Sequence, residues 1–212
     1  MKGRAMVEHS DDDVTRLLDW CVAKGVDGSI VSNRGWNHIG AIVADAVLQR
    51  RHNYERVVHP RVKHLMAEWP DAATTSGLVK RLESDDLATS LQWTGERRLT
   101  EFREIVKELQ LFKIETVSDF AHALSEPERR GELRSALDNV RYVGQKTLDY
   151  FDLLVGLQNT AVDYRIHRVF AAAGLDNMSN IAIKQVIIKA ADVKHWNLTD
   201  FDAALWKAGE KL

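Results

Sequence analysis

Cysteine is nearly missing: Cys21 is the only one in 212 residues. A single thiol closes no internal disulfide, fits a reducing compartment, and cannot supply the four thiolates of an iron–sulfur cluster. Proline occurs three times, with Pro70 punctuating the chain after Trp69 and Pro127 opening a helix. No apolar run approaches the ~18 residues that would suggest a membrane span. Met1-Lys2-Gly3-Arg4 is not followed by a signal-peptide core, so a cytoplasmic protein without a membrane partner is expected. An excess of either charge is also missing, with 29 Lys and Arg against 31 Asp and Glu, a formal net charge of −2. The global balance therefore does not favour nucleic acid, and any such footprint must come from local patches. No internal repeat or low-complexity tract breaks the chain.

What the chain does have is helical periodicity. Asp11-Asp12-Asp13 is an acidic start to a helix that turns Val14, Leu17, Leu18 and Cys21 inward and stops at Gly25. DGSIVSNRGWNHIG, rich in Gly, Ser and Asn, reads as a connection between lobes. Ile39 to Gln49 predicts a helix buried on more than one face. Short helices are expected from Val62 to Leu124, punctuated at Trp69-Pro70 and across Ala72–Gly77, with Ser84-Asp85-Asp86 capping one of them. ERRLTEFREIVKEL is amphipathic, with Leu99, Phe102, Ile105, Val106 and Leu109 on one side. After Gly174, NIAIKQVIIKAAD and a segment from Thr199 through Trp206 predict the last two helices.

The most informative stretch runs from Leu133 to Gly174. A helix ending near Val140 is followed by the tight link Arg141-Tyr142-Val143-Gly144-Gln145. The next helix opens at Lys146-Thr147 and carries Leu148, Phe151, Leu154 and Val155. A loop then delivers Asp163 as the N-cap of a third helix, which stops at Gly174. A lysine at a helix start sits against the positive end of the dipole, so its placement there asks for a reason. An N-cap aspartate, by contrast, is ordinary.

VGQKT, an apolar helix and AVDYRI together resemble the helix–hairpin–helix DNA glycosylases, the family that includes endonuclease III. The resemblance spans about Ile39 to Gly174 and is specific only from the hairpin to Asp163. It implies an all-α, two-lobed fold with a cleft between lobes. Within one glycosylase unit, 1–36 plus 175–212 would form a terminal lobe that brings Trp20, Cys21 and Trp206 into one core. Residues 37–174 would form a central lobe, with the helix–hairpin–helix at 131–156. It further implies that Lys146 is the Schiff-base nucleophile and Asp163 the second catalytic group. Tyr142, Gly144, Gln145 and Thr147 would meet the DNA backbone, and Gln49, ending IVADAVLQ, would enter the duplex near the lesion. Arg50, Arg51, Arg165 and His167 would complete the DNA surface. The implied activity is excision of a damaged or modified base from double-stranded DNA, with β-elimination at the abasic site, by a monomer without an iron–sulfur cluster.

Three features depart from the family pattern: Tyr142 stands where the hairpin has its first glycine, the loop before Asp163 has no proline, and the single cysteine cannot hold the iron–sulfur cluster that endonuclease III carries. A turn that often needs positive φ should be strained or reshaped by tyrosine. Arg50, Arg51, His52, Arg56, His59, Arg61, Lys63 and His64, against Glu55 alone, form the most basic window. It serves either as a solvated surface or as a phosphate-contacting rim. No histidine spacing there suggests a metal. Three other readings fit the same residues. One is a hydrolytic glycosylase that relies on Asp163 and acts on modified cytosine or mismatched thymine, including in defence against modified foreign DNA. Another is a non-catalytic DNA-binding protein, and the last a protein-interaction scaffold.

Overall fold

A computed structural model describes residues 11–32 and 35–212. The expectations at Met1-Lys2-Gly3-Arg4 and at Asn33-Arg34 in the connection lie outside the described residues. The fold is all-α, and every regular element among the described residues is helical. The chain divides into two compact units, Arg34–Leu157 and the pair Met1–Asn33 with Gln158–Leu212.

The terminal unit contains α1 (Asp11–Lys24), and the first unit, taken next, contains eight further helices. These are α2 (Ile39–Leu48), α3 (His59–Glu68), α4 (Thr75–Ser84), α5 (Leu87–Ser90), α6 (Glu96–Leu111), α7 (Val117–Ser125), α8 (Pro127–Asn139) and α9 (Gln145–Leu154). A π-helical turn at Tyr54–Val58 and a 3-10 turn at Pro70–Ala73 join them. All ten residues of α2 are buried, as its apolar sequence requires, and each large side chain there contributes about 1.5–3 kcal/mol. His38 starts this helix: its Nδ1 accepts from the Ala41 N–H at 3.1 Å and its Nε2 lies 3.0 Å from the Trp69 carbonyl. An N–H only donates, so Nδ1 holds the lone pair and Nε2 the proton. Burial holds the His38 pKa below the usual histidine value.

One charge sits inside the apolar run of α2. The fully buried Asp45 carboxylate accepts from Trp36 Nε1 at 2.8 Å, Tyr54 Oη at 2.9 Å and Tyr150 Oη at 2.9 Å. Arms α8 and α9 of the hairpin are stitched in the same manner. Arg130 reaches Asp152 through two bonds, at 3.0 and 2.7 Å, and Arg134 reaches Asp149 at 3.0 Å and Asp152 at 3.2 Å. Stranding one partner of a buried pair costs about 3–5 kcal/mol, so such a network fixes the angle between the arms even where it adds little net stability.

The terminal unit adds α10 (Tyr164–Ala172), α11 (Asn180–Lys194) and α12 (Leu198–Glu210) to α1. Leu17, Cys21, Ile166, Phe170, Ile183, Ile187, Phe201 and Leu205 build its core, with Trp20 buried in it and Trp206 packed against it. Trp20, Cys21 and Trp206 thus share one core, as expected. Burial pushes the Cys21 thiol up to about 12, so it acts as a small apolar side chain. At Gly209 a Cβ would lie 2.4 Å from the Arg165 carbonyl oxygen, so α10 and α12 approach as closely as they do only because position 209 is glycine.

Two sequence expectations shift. Gln158–Gly174 groups with the terminal helices and not with the hairpin, because Val162, Ile166, Val169 and Phe170 turn into the terminal core. Ala72–Gly77 is not a plain break: Thr74 caps α4 by accepting from the Gly77 N–H at 3.1 Å, so Gly77 already lies in a helical turn. A Cβ there would sit 1.9 Å from the Asp71 carbonyl oxygen.

Candidate active site

Gly144 is the N-cap of α9, and no side chain caps this helix. Its φ of −148° is open to any residue, and a Cβ added to it would meet no atom of the described residues within 4 Å. Neither conformation nor internal packing therefore demands glycine. The remaining physical use of glycine is close approach of something to the backbone. Gln145 at the first helical position is exposed and accepts from Arg134 at 3.2 Å, whereas Thr147 is buried.

Lys146 lies one residue into α9 and is half-buried. Its ammonium donates to Gln49 Oε1 at 3.2 Å. Gln49 is the C-cap of α2, so the two residues meet end to end: the start of α9 lies at the finish of α2. One turn further along each helix, Tyr150 meets Asp45. Pairing 49 with 146 and 45 with 150 makes the two helices antiparallel, joined by two polar rungs. The inner rung holds α9 in register, and that register sets where the Lys146 amine stands.

Tyr142 keeps the left-handed turn that a glycine would make, at φ +78°. Such a conformation costs a non-glycine residue about 1–2 kcal/mol. The ring offsets it: the Arg97 guanidinium lies 3.5 Å and that of Arg141 4.8 Å from the ring centroid, contacts worth about 0.5–1 kcal/mol each at an exposed site. The Tyr142 carbonyl accepts from Arg50, whose other terminal nitrogen pairs with the buried Glu101. Arg50, placed by sequence on the DNA rim, is thereby turned inward as a tie between the end of α2, the hairpin and α6. Burial raises the Glu101 pKa above the usual carboxylate range despite the opposing pull of Arg50, Arg98 and Arg97. Arg98 donates to the Val47 carbonyl at 2.6 Å and the Arg50 carbonyl at 2.9 Å, satisfying groups where α2 ends. Burial, then neighbouring Arg50, lower the Arg98 pKa to about 10, which leaves it cationic at pH 7. Arg51 is exposed with φ +63°.

Asp163, Arg165 and His167 belong to the terminal unit. Asp163 caps α10: Oδ1 accepts from the N–H of Arg165 at 2.9 Å and of Ile166 at 3.3 Å, while the Trp206 indole donates to Oδ2 at 3.3 Å. Arg165 is buried, its guanidinium 4.0 Å from the Trp206 ring centroid and 3.5 Å from Glu210. That placement makes it a support behind Asp163. His167 is exposed and lies 2.8 Å from Asn180 Oδ1.

Glu101 and Asp45 were not singled out from the sequence; Arg98, read together with Arg97 as able to reach phosphate, instead donates to the Val47 and Arg50 carbonyls. Asp45 carried a signal, being the one acid in the wholly apolar run IGAIVADAVL; a buried acid must find partners. Glu101 shares a helix face with Ile105, four residues on, which marked it as core-facing. Among the described residues, no group of three or more His, Cys, Asp or Glu is arranged to hold a metal, and no helix is long and apolar enough to cross a membrane. No protein-family model matches the sequence, and comparison with curated proteins finds no match.

Proposed function

We propose that this chain is a helix–hairpin–helix DNA glycosylase that extrudes a damaged or modified base from duplex DNA and removes it with Lys146 as nucleophile. The observation that carries the reading is an amine held by Gln49, at a helix start that no side chain of the described residues caps, two positions after a glycine that neither its φ nor its neighbours require. Helix starts of this kind favour phosphate, which satisfies orphan N–H groups and meets the positive end of the dipole.

Extrusion costs a few kcal/mol of unpairing and unstacking. The neutral Lys146 amine then attacks C1′, the glycosidic C–N bond breaks, and the base leaves with the bonding electrons and gains a proton. Loss of the amine proton and opening of the sugar ring give the Schiff base. Abstraction of a C2′ proton expels the 3′ phosphate by β-elimination and nicks the strand. Asp163 stabilises the positive charge that develops on the sugar and assists in deprotonating the amine. Gln49 serves twice, fixing the amine in the free protein and filling the gap in the duplex when DNA binds. The reading takes the protein to act as a monomer.

Borohydride trapping tests this on duplexes bearing an abasic site or one of a panel of damaged and modified bases. A covalent adduct in the wild type that is lost in Lys146→Ala is the expected result, and the base trapped best identifies the substrate class. Base release without any trapped adduct would replace the lyase mechanism with a hydrolytic one centred on Asp163. No release and no adduct, with DNA binding intact, would leave a binding module.

A further inference from the structure

Tyr142 presents a question that the excision chemistry does not answer. A glycine would make the turn without strain, yet the chain places a large ring there at φ +78°. Tyr142 is 36% exposed, too open for a core role. Its neighbours are two guanidinia from separate elements, Arg97 in the first turn of α6 and Arg141 in the hairpin itself. Both arginines are exposed, and neither has an ion pair recorded among the described residues. The buried acid Glu101, on the same helix as Arg97, is engaged by Arg50, and Glu96 beside Arg97 is exposed. Arg50 also holds the Tyr142 carbonyl, so the turn that carries the ring is fastened to α2 and α6.

We propose that Arg97, Tyr142 and Arg141 form a second phosphodiester-binding site beside the start of α9, in which the tyrosine ring holds two guanidinia in order before DNA arrives. A guanidinium stacked on a ring keeps its N–H groups in plane and pointing outward, the geometry that grips a phosphate through two bonds. Ordering two long side chains in the free protein lowers the entropy lost on binding. The site assigns a purpose to the tyrosine: it trades a relaxed turn for a pre-set pair of cations in a chain whose net charge of −2 gives no general attraction to DNA. This site rests on the DNA-binding reading above.

Anisotropy titrations of a short undamaged fluorescent duplex between 50 and 200 mM salt test it, with thermal melting of each variant alongside. Each phosphate contact adds about 0.9 to the slope of log affinity against log salt. The Arg97→Ala/Arg141→Ala double variant should therefore flatten that slope by about 1.8, so that it loses roughly tenfold less affinity than the wild type across this range. Tyr142→Gly, which relaxes the turn, should weaken binding and flatten the slope in the same direction, and Tyr142→Phe should restore both. A steep wild-type slope left unchanged in the double variant would overturn the site while leaving the glycosylase reading intact. So would Tyr142→Phe behaving like Tyr142→Gly. A wild type with no salt-dependent affinity for the duplex would overturn both.

Discussion

Helices α9 and α10 carry the two proposed catalytic residues, Lys146 and Asp163, at or beside their starts, and they begin in opposite ways. At α10 the protein satisfies its own helix start, with Asp163 accepting from two backbone N–H groups and from the Trp206 indole. At α9 the cap is a glycine without a side chain, no atom of the described residues lies within 4 Å of where its Cβ would stand, and Lys146 follows two positions on. The first start is filled by its own chain, and under the proposed function the second is the one the DNA approaches. In the proposed mechanism the two roles make complementary demands: electrostatic stabilisation requires a group that does not reorganise, whereas a nucleophile must be reached by its substrate.

The comparison is broken most severely by separating the two jobs of Asp163. Asp163→Ala should lose the cap, costing about 0.5–2 kcal/mol, and lower the excision rate by about 10²–10³-fold, the usual scale for losing one electrostatic stabiliser. Asp163→Ser should regain the stability and not the rate, because serine caps well and carries no charge. Recovery of both in urea melts and single-turnover assays would reduce Asp163 to a structural cap.

A smaller effect sharpens the comparison from the central unit, where a third helix start is governed by a titrating group. Burial depresses the His38 pKa, so the folded state prefers the neutral ring. The stability this provides is present above the ordinary histidine value of about 6.5 and is lost as pH falls through the lowered folded value. Protonation also places an N–H against the Ala41 N–H and destroys the cap. Melting temperature should therefore fall on mild acidification, and His38→Asn, which keeps an acceptor at the cap, should flatten that decline. An equally steep decline in the variant would place the sensitive group elsewhere.

Much of this fold was legible in the sequence because its signals are local. Asp11-Asp12-Asp13, Asp86, Asp163 and the glycines at 25 and 174 lie at helix ends, where capping chemistry acts over three or four residues. The contacts that organise the hairpin are not local. Arg50 meets Tyr142 across 92 positions and Glu101 across 51, and Asp45 meets Tyr150 across 105. No window of sequence announces such partners. Arg50 and Arg165 consequently read as surface cations and turn out to be braced within their units. Tyr142 was expected to strain or reshape a turn that often needs positive φ; it holds the strained left-handed conformation at φ +78°, and Arg97 and Arg141 lie against its ring.

The most direct test of the open helix start is the duplex affinity of Gly144→Ala, read beside its melting temperature. At φ −148° with no atom near the new methyl, the folded protein should tolerate alanine with a change within about 0.5 kcal/mol. A methyl group between the strand and the first amides of α9 should nevertheless weaken duplex binding by about tenfold, the equivalent of one lost hydrogen bond to a charged group. Unchanged stability with weakened binding is the predicted result. Unchanged stability with unchanged binding would contradict the account, because the glycine would then serve neither the fold nor the DNA.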